Sequence, residues 1–256
     1  MKKNTVISVF ALAMMSALSQ YASAAISLDR TRLIFPGSEK SVSLTVKNQN
    51  PELPYLAQGW LENEQGAKLD NNSPLAVVPP VQRIEPNTES QVKVQALAAS
   101  AAFKQLPQDR ESLFYFNLRE IPPKSDKPNV LQIALQTRIK LFYRPAALAE
   151  AAAAQQAVPF QEKLTLTKSG DKYTVNNPTP YYVTLIGASA KKGGEVVKGF
   201  EAMMVPPKGS APLGGSAAAL GSAPVLVYVN DYGGQPPLTF RCNGATCNVD
   251  ETKRDK

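Results

Sequence analysis

Between positions 129 and 144 the chain reads NVLQIALQTRIKLFYR, and this stretch restricts the fold more than any other. Leu131, Ile133, Leu135, Ile139, Leu141 and Tyr143 fall on odd positions, whereas Gln132, Gln136, Arg138 and Lys140 fall on even ones. Side chains two apart in a strand share a face, so the spacing predicts a β-strand with one apolar side. Such a run far exceeds the mean strand of about five or six residues, which implies that part of it overhangs its own sheet. A long, apolar, unpaired edge invites association with other chains. Either another element of this chain covers it, or it pairs with a partner.

The rest of the chain reads as strands and turns. Residues 25–35 and 41–47 form two strand patterns around the turn PGS at 36–38, the second with Val42, Leu44 and Val46 on one face. A third strand at 56–62 carries Trp60, the only tryptophan, expected in a sandwich core. Further strand patterns lie at 81–84, 92–96 and 113–118, and the Ala-rich segment 96–103 reads as a helical turn or a loop. With turns every few residues and no convincing amphipathic helix, the pattern is that of a β-sandwich. At PAALAEAAAAQQA, 145–157, the composition changes to that of a linker or short helix. A second β-pattern follows at 164–175, 181–187, 200–205, 225–229 and 238–242, with 208–223 read as a Gly/Ala/Ser loop. The expected organisation is therefore an N-terminal domain over 25–147, a linker over 148–158, a second, smaller domain over 159–249 and a charged, frayed tail over 250–256.

Residues 1–24 read as a signal peptide: Lys2 and Lys3, an apolar run over 6–18, then Ala22-Ser23-Ala24 before the cleavage point. The apolar run is short for a membrane span of about 20 residues, so the expectation is an exported protein without membrane insertion. Of 28 basic residues, removal of Lys2 and Lys3 leaves 26 against 21 acidic ones, a net charge of +5. These charges are dispersed, which argues against nucleic acid as a partner. Cys242 and Cys247 flank an Asn243-Gly244 turn signal, and in an oxidising compartment the spacing suggests a disulfide across a hairpin end. The chain has no histidine. That excludes Ser-His-Asp and Cys-His triads, HExxH zinc sites and histidine-ligated metals. No carboxylate or Ser-Lys constellation replaces them, so neither a catalytic site nor a cofactor or metal is expected.

Several segments resemble the periplasmic, immunoglobulin-like pilus-assembly chaperones of the PapD family. They are ISLDRTR (26–32), LPYLAQGWLENE (53–64), PPVQRIEP (79–86), LPQDRESLFYFNLREIPPKS (106–125), NVLQIALQTRIKLFYRPAA (129–147), NPTPYYVTLIG (177–187) and NDYGG (230–234). The likeness is weakest over 96–104, the alanine linker, 208–223 and the tail. It implies an all-β protein of two immunoglobulin-like sandwich domains set at an angle, with a client cleft between them. Chaperones of this family bind pilus subunits, tip adhesins included, whose own sandwich lacks its last strand. They lend a strand in its place, a known mode of β-strand addition, and pass the subunit to an outer-membrane usher without a nucleotide. The short connection 122–128 resembles the short-loop branch, which serves rod-like pili with adhesive tips.

The resemblance gives residues roles. Leu131, Ile133 and Leu135, with Ile139 as a fourth, would enter the groove of the subunit. Arg32 and Lys140 would hold the subunit's terminal carboxylate, at its C-terminus, and so fix the register, since a one-residue slip would turn polar side chains into the groove. Glu111, Arg144 and Asp231 would form a charge network joining the domains. The empty strand edge also leads us to expect self-association. From a different class, the same sandwich pattern fits a secreted structural pilus subunit or adhesin, although a subunit should show an incomplete domain. A secreted enzyme on a sandwich scaffold is disfavoured by the missing histidine.

Overall fold

The computed structural model describes residues 24–70, 72–126, 129–154 and 158–253. All but the last residue of the expected signal peptide lies outside them. The N-terminal domain runs through β1 (Ile26–Leu28), β2 (Arg32–Pro36), β3 (Ser41–Asn48), β4 (Tyr55–Asn63), β5 (Leu75–Val78), β6 (Val81–Ile84), β7 (Glu89–Ala96), β8 (Ser112–Ile121) and β9 (Gln136–Arg144). One sheet has the order β1-β3-β7-β5 and the other β2-β9-β8-β4-β6. Between them lies a core that includes Leu33, Phe35, Leu44, Val46, Val92, Phe116 and Leu141. Alternation explains these elements: in β3 the apolar members of the pattern turn inward and their neighbours face water.

Two expectations need correction here. Residues 25–35 are two strands, because the chain changes sheet at 29–31: β1 pairs antiparallel with β3, whereas β2 pairs parallel with β9. Trp60 lies outside the core, half-buried on the outer face of β4. The inward positions of that strand are Ala57, Gly59 and Leu61, and a Cβ at Gly59 would meet Val77 at 3.0 Å. Trp60 instead donates its indole N–H to Glu62 Oε1 at 3.0 Å, with Arg119 over its ring. The segment 96–103 is resolved as a helical turn, Ala101–Lys104, capped by Ser100. The Val78–Pro79 peptide bond is cis.

The C-terminal domain runs through β10 (Thr165–Ser169), β11 (Lys172–Asn177), β12 (Val183–Ser189), β13 (Met203–Val205), β14 (Gly209–Leu213), β15 (Val225–Val229), β16 (Pro237–Asn243) and β17 (Thr246–Val249). The strands form a continuous ladder, β13-β12-β15-β16-β17-β10-β11-β14. The first half of β16 pairs with β15 and the second half with β17, so the sheet folds over itself around Leu166, Leu185, Val205 and Phe240. The expected loop at 208–223 contains β14 and the short helix Ala217–Leu220. Cys242 and Cys247 face each other across the β16–β17 hairpin and are bonded, with Cα atoms 3.8 Å apart. Part of the tail expected to fray, Glu251–Lys253, forms a helical turn, held where Asp250 accepts from Thr252 and pairs with Arg241 at 2.8 Å. A helix, Ala146–Ala154, occupies the start of the alanine-rich junction.

Candidate functional site

Strand β9 is anchored at one end and ends its pairing early at the other. Its ladder with β8 runs from Tyr143, opposite Ser112, to Gln136, opposite Arg119, and one further bond joins Glu120 N–H to the Leu135 carbonyl at 3.0 Å. Residues 129–135 belong to no sheet among the described residues. Leu131 is 85% exposed, Ile133 66% and Leu135 41%. These three share the parity of Ile139, Leu141 and Tyr143, which lie in the domain's own core. The apolar face thus continues beyond the sandwich that covers its other half. Ile139 departs from expectation: at 7% exposure it packs inside this domain and is not available to another. The single strand expected over 129–144 therefore divides into a paired half and an unpaired apolar half.

The even positions of β2 and β9 face away from the core, and among them Arg32, Lys140, Phe142 and Arg144 meet the C-terminal domain. Arg32 and Lys140 are direct register partners. Arg32 Nη1 donates to the Val229 carbonyl at 3.1 Å, and Lys140 Nζ donates to Thr184 Oγ1 at 3.1 Å. The buried Nε of Arg32 has no hydrogen-bond partner among the described residues. Neither cation has a carboxylate within ion-pairing distance there. Burial and the neighbouring Arg32 charge draw the Lys140 ammonium down to about 8. Burial also lowers Arg32, against the pull of Asp231 and Glu111. Two adjacent cations, one with an unsatisfied buried donor, make this a locally positive site whose electrostatics suit an anion.

At the end of β9, Arg144 joins the domains. Its Nε donates to Glu111 Oε1 at 2.7 Å, and Nη1 and Nη2 reach Asp231 at 2.7 and 3.0 Å. Glu111 Oε2 accepts the Tyr182 backbone N–H at 2.7 Å, and the guanidinium lies over the Tyr181 ring. Burial pushes the Glu111 carboxyl up to about 7, while Arg144 and the Tyr182 N–H pull the other way. The three residues expected to form this network are thus brought together. Sequence reasoning missed other contacts between the domains: Lys208 with Asp109 at 2.8 Å and Tyr182 Oη with Glu64 at 3.3 Å. A cavity of about 590 Å³ opens beside Arg32, lined by Ile34, Ala149, Ala153, Phe160, Asp231 and Tyr232 among others. The missed residues Tyr182 and Thr184 lie within NPTPYYVTLIG, the stretch that carried the resemblance. Among the described residues no group of three or more His, Cys, Asp or Glu side chains is placed to hold a metal.

Residues 25–149 match the family described as pili and flagellar-assembly chaperone, PapD N-terminal domain, and residues 159–240 match pili assembly chaperone PapD, C-terminal domain. The chain is 54% identical over 243 residues to the probable fimbrial chaperone YfcS of Escherichia coli strain K12, covering 95% of this chain and 93% of that protein. It is 50% identical over 232 residues to the chaperone protein PapD of Escherichia coli, covering 91% and 92%. Among solved structures it resembles the periplasmic chaperone SfaE (TM-score 0.61, 31% identity, 84% of this chain and 98% of that one). It also resembles a chain of the Salmonella enterica SafA pilin–SafB chaperone complex (TM-score 0.66, 25% identity, 86% and 97%).

Proposed function

Because the chain belongs to the pili assembly chaperones of the PapD family, a family of binding proteins and not of enzymes, we propose that it folds and caps pilus subunits by donor-strand complementation. Residues 129–135 supply the strand, and Arg32 with Lys140 supplies the anchor for the carboxylate at the client's C-terminus. The observation that carries this reading is the continuity of the two parts. One apolar face leaves the chaperone's core at Ile139 and emerges uncovered at Leu135, Ile133 and Leu131, and the cation pair sits a short way along the same strand at Lys140.

The physical logic is complementary. A subunit lacking a strand exposes unpaired backbone groups and an apolar groove, both costly in water. Three fully buried aliphatic side chains would contribute roughly 5–9 kcal/mol, at about 1.5–3 kcal/mol each, before ordering costs. The anchor sets which side chains meet the groove by fixing one chain end against Lys140. Arg144, Glu111 and Asp231 hold the two walls of the cleft in one orientation, the use for which a buried ion network is best suited.

By the same reading the protein works in the periplasm after removal of residues 1–24, serves tip adhesins as well as other subunits, and hands its clients to an outer-membrane usher without ATP. When empty, it self-associates through 129–135. The SafB chaperone, which the chain resembles, is paired with a pilin in its solved complex, and this likeness favours a pilus subunit as client. A structural role for this chain, as a pilus subunit itself, gives way to its family membership. Periplasmic co-purification tests the mechanism. The wild type recovers a subunit as a one-to-one complex and Lys140→Ala does not; equal recovery by both would remove the anchor.

A further inference from the structure

Glu120 is a carboxylate turned into the domain. It lies on the inward parity of β8 with Phe114, Phe116 and Leu118, and it is 6% exposed. Its Oε2 accepts the backbone N–H of Ile26 at 2.9 Å. Among the described residues no lysine or arginine side chain pairs with it. A buried carboxylate with one neutral donor and no cation is costly. Its neighbour, however, is the place where the chain is expected to be cut. Hydrolysis of the Ala24–Ala25 bond consumes one water, leaves a carboxylate on the leader and turns the Ala25 amide nitrogen into an α-ammonium. That nitrogen is three covalent bonds from the Ile26 nitrogen, hence within about 4 Å of it.

We propose that Glu120 is the receptor for the α-ammonium of the mature chain, so that removal of the leader completes the N-terminal domain with a buried ion pair. The inference rests on cleavage after Ala24. Before processing, the Ala25 nitrogen is a neutral amide and cannot neutralise the carboxylate; afterwards it is a cation with three donors. The location gives the pair a further consequence. Ile26 fastens β1 to β3, and the Glu120 backbone N–H holds Leu135 at the root of the uncovered segment. Processing would therefore firm the point from which the apolar segment leaves the sheet.

A four-protein comparison tests this: wild type and Glu120→Gln, each with its mature amino terminus and with Gly-Ser inserted before Ala25. Intact-mass measurement reads the amino terminus, and thermal unfolding reads the coupling. With Ala25 first, the insertion is expected to lower the wild-type midpoint by several degrees and the Glu120→Gln midpoint by less than half as much. The acylation rate of the α-amine against pH should place its pKa about one unit above the ordinary value of about 8 in wild type, and near that value in Glu120→Gln. A mass showing cleavage elsewhere overturns the premise and the proposal together. A terminus at Ala25 with equal effects of the insertion in both backgrounds, or with none, overturns the ion pair alone. If Glu120→Gln does not accumulate, the wild-type pair decides. A lowered midpoint with a raised α-amine pKa supports the pair, and an unchanged midpoint overturns it.

Discussion

Arg32 and Lys140 stand side by side as register partners in the parallel pairing of β2 with β9, and no carboxylate within the described chain pairs with either. Like charges directly opposite each other on a sheet destabilise it, so their adjacency is the mark of a site completed by something else. If the pair anchors a client's carboxylate as proposed, replacing either cation removes a charge-assisted hydrogen bond of the kind that contributes about 1.5–3 kcal/mol. Lys140→Ala and Arg32→Ala should each weaken binding of a peptide that ends in a pilin's C-terminal sequence by tenfold or more. Calorimetric titration with the free-acid and the C-terminally amidated peptide checks this: the amidated form should bind the wild type as poorly as the free acid binds the variants.

The same pair sets a pH dependence. Lys140 titrates at about 8 in the empty protein because burial and Arg32 disfavour its charge. An arriving carboxylate favours the ammonium, so binding takes up protons above that value. Affinity should be flat below about pH 7 and fall by up to about tenfold per unit as pH rises through 8. For the fold itself the sign is reversed. The cost of the depressed Lys140 pKa is present in full below about 8 and fades as pH rises toward the ordinary 10.5. Lys140→Met should bind weakly with a flat profile over pH 7–9, and a sloping profile there would contradict the assignment.

Leu131 and Ile133 are largely exposed, whereas Ile139 is buried. Surface substitutions usually stay within about 0.5 kcal/mol, but truncating a buried isoleucine to alanine costs about 2–5 kcal/mol. Leu131→Ser and Ile133→Ser should leave urea midpoints nearly unchanged and abolish recovery of the pilus subunit. Ile139→Ala should shift the midpoint strongly.

Arg144→Ala would leave Glu111 buried without its cation. Removing one member of a buried ion pair typically costs about 3–5 kcal/mol. The C-terminal domain also loses its bidentate tie through Asp231. Small-angle scattering should show a broader distribution of interdomain angles and the periplasmic yield should drop. An unchanged profile and yield would show that Lys208–Asp109 and Tyr182–Glu64 hold the orientation unaided.

How much of this was legible in the chain depends on the range over which each feature is decided. Alternation in 41–47 gave β3 because burial of Leu44 and Val46 is a local pattern. The same parity rule could not tell Ile139 from Ile133, since it says which face a side chain takes and not where the neighbouring strand ends. That boundary lies near Gln136, opposite Arg119. Trp60 misled for a related reason: its size suggested the core, but the cramped inward site on β4 is Gly59. β14 was hidden because Gly209 and Pro212 break its pattern, and its strand character comes from pairing with the distant β11. Arg32 and Lys140 are ordinary surface cations in a propensity reading. Only the likeness to known chaperones marked them, and the register of β2 against β9 then brought them together.

The measurement that tests the central claim most directly is amide hydrogen exchange across residues 129–135, with and without a bound pilus subunit. Strand donation predicts that these amides, unpaired to any sheet in the empty protein, become protected in an alternating pattern by at least a hundredfold on binding, while β8 changes little. Stable binding of the subunit with exchange in 129–135 left unchanged would contradict it.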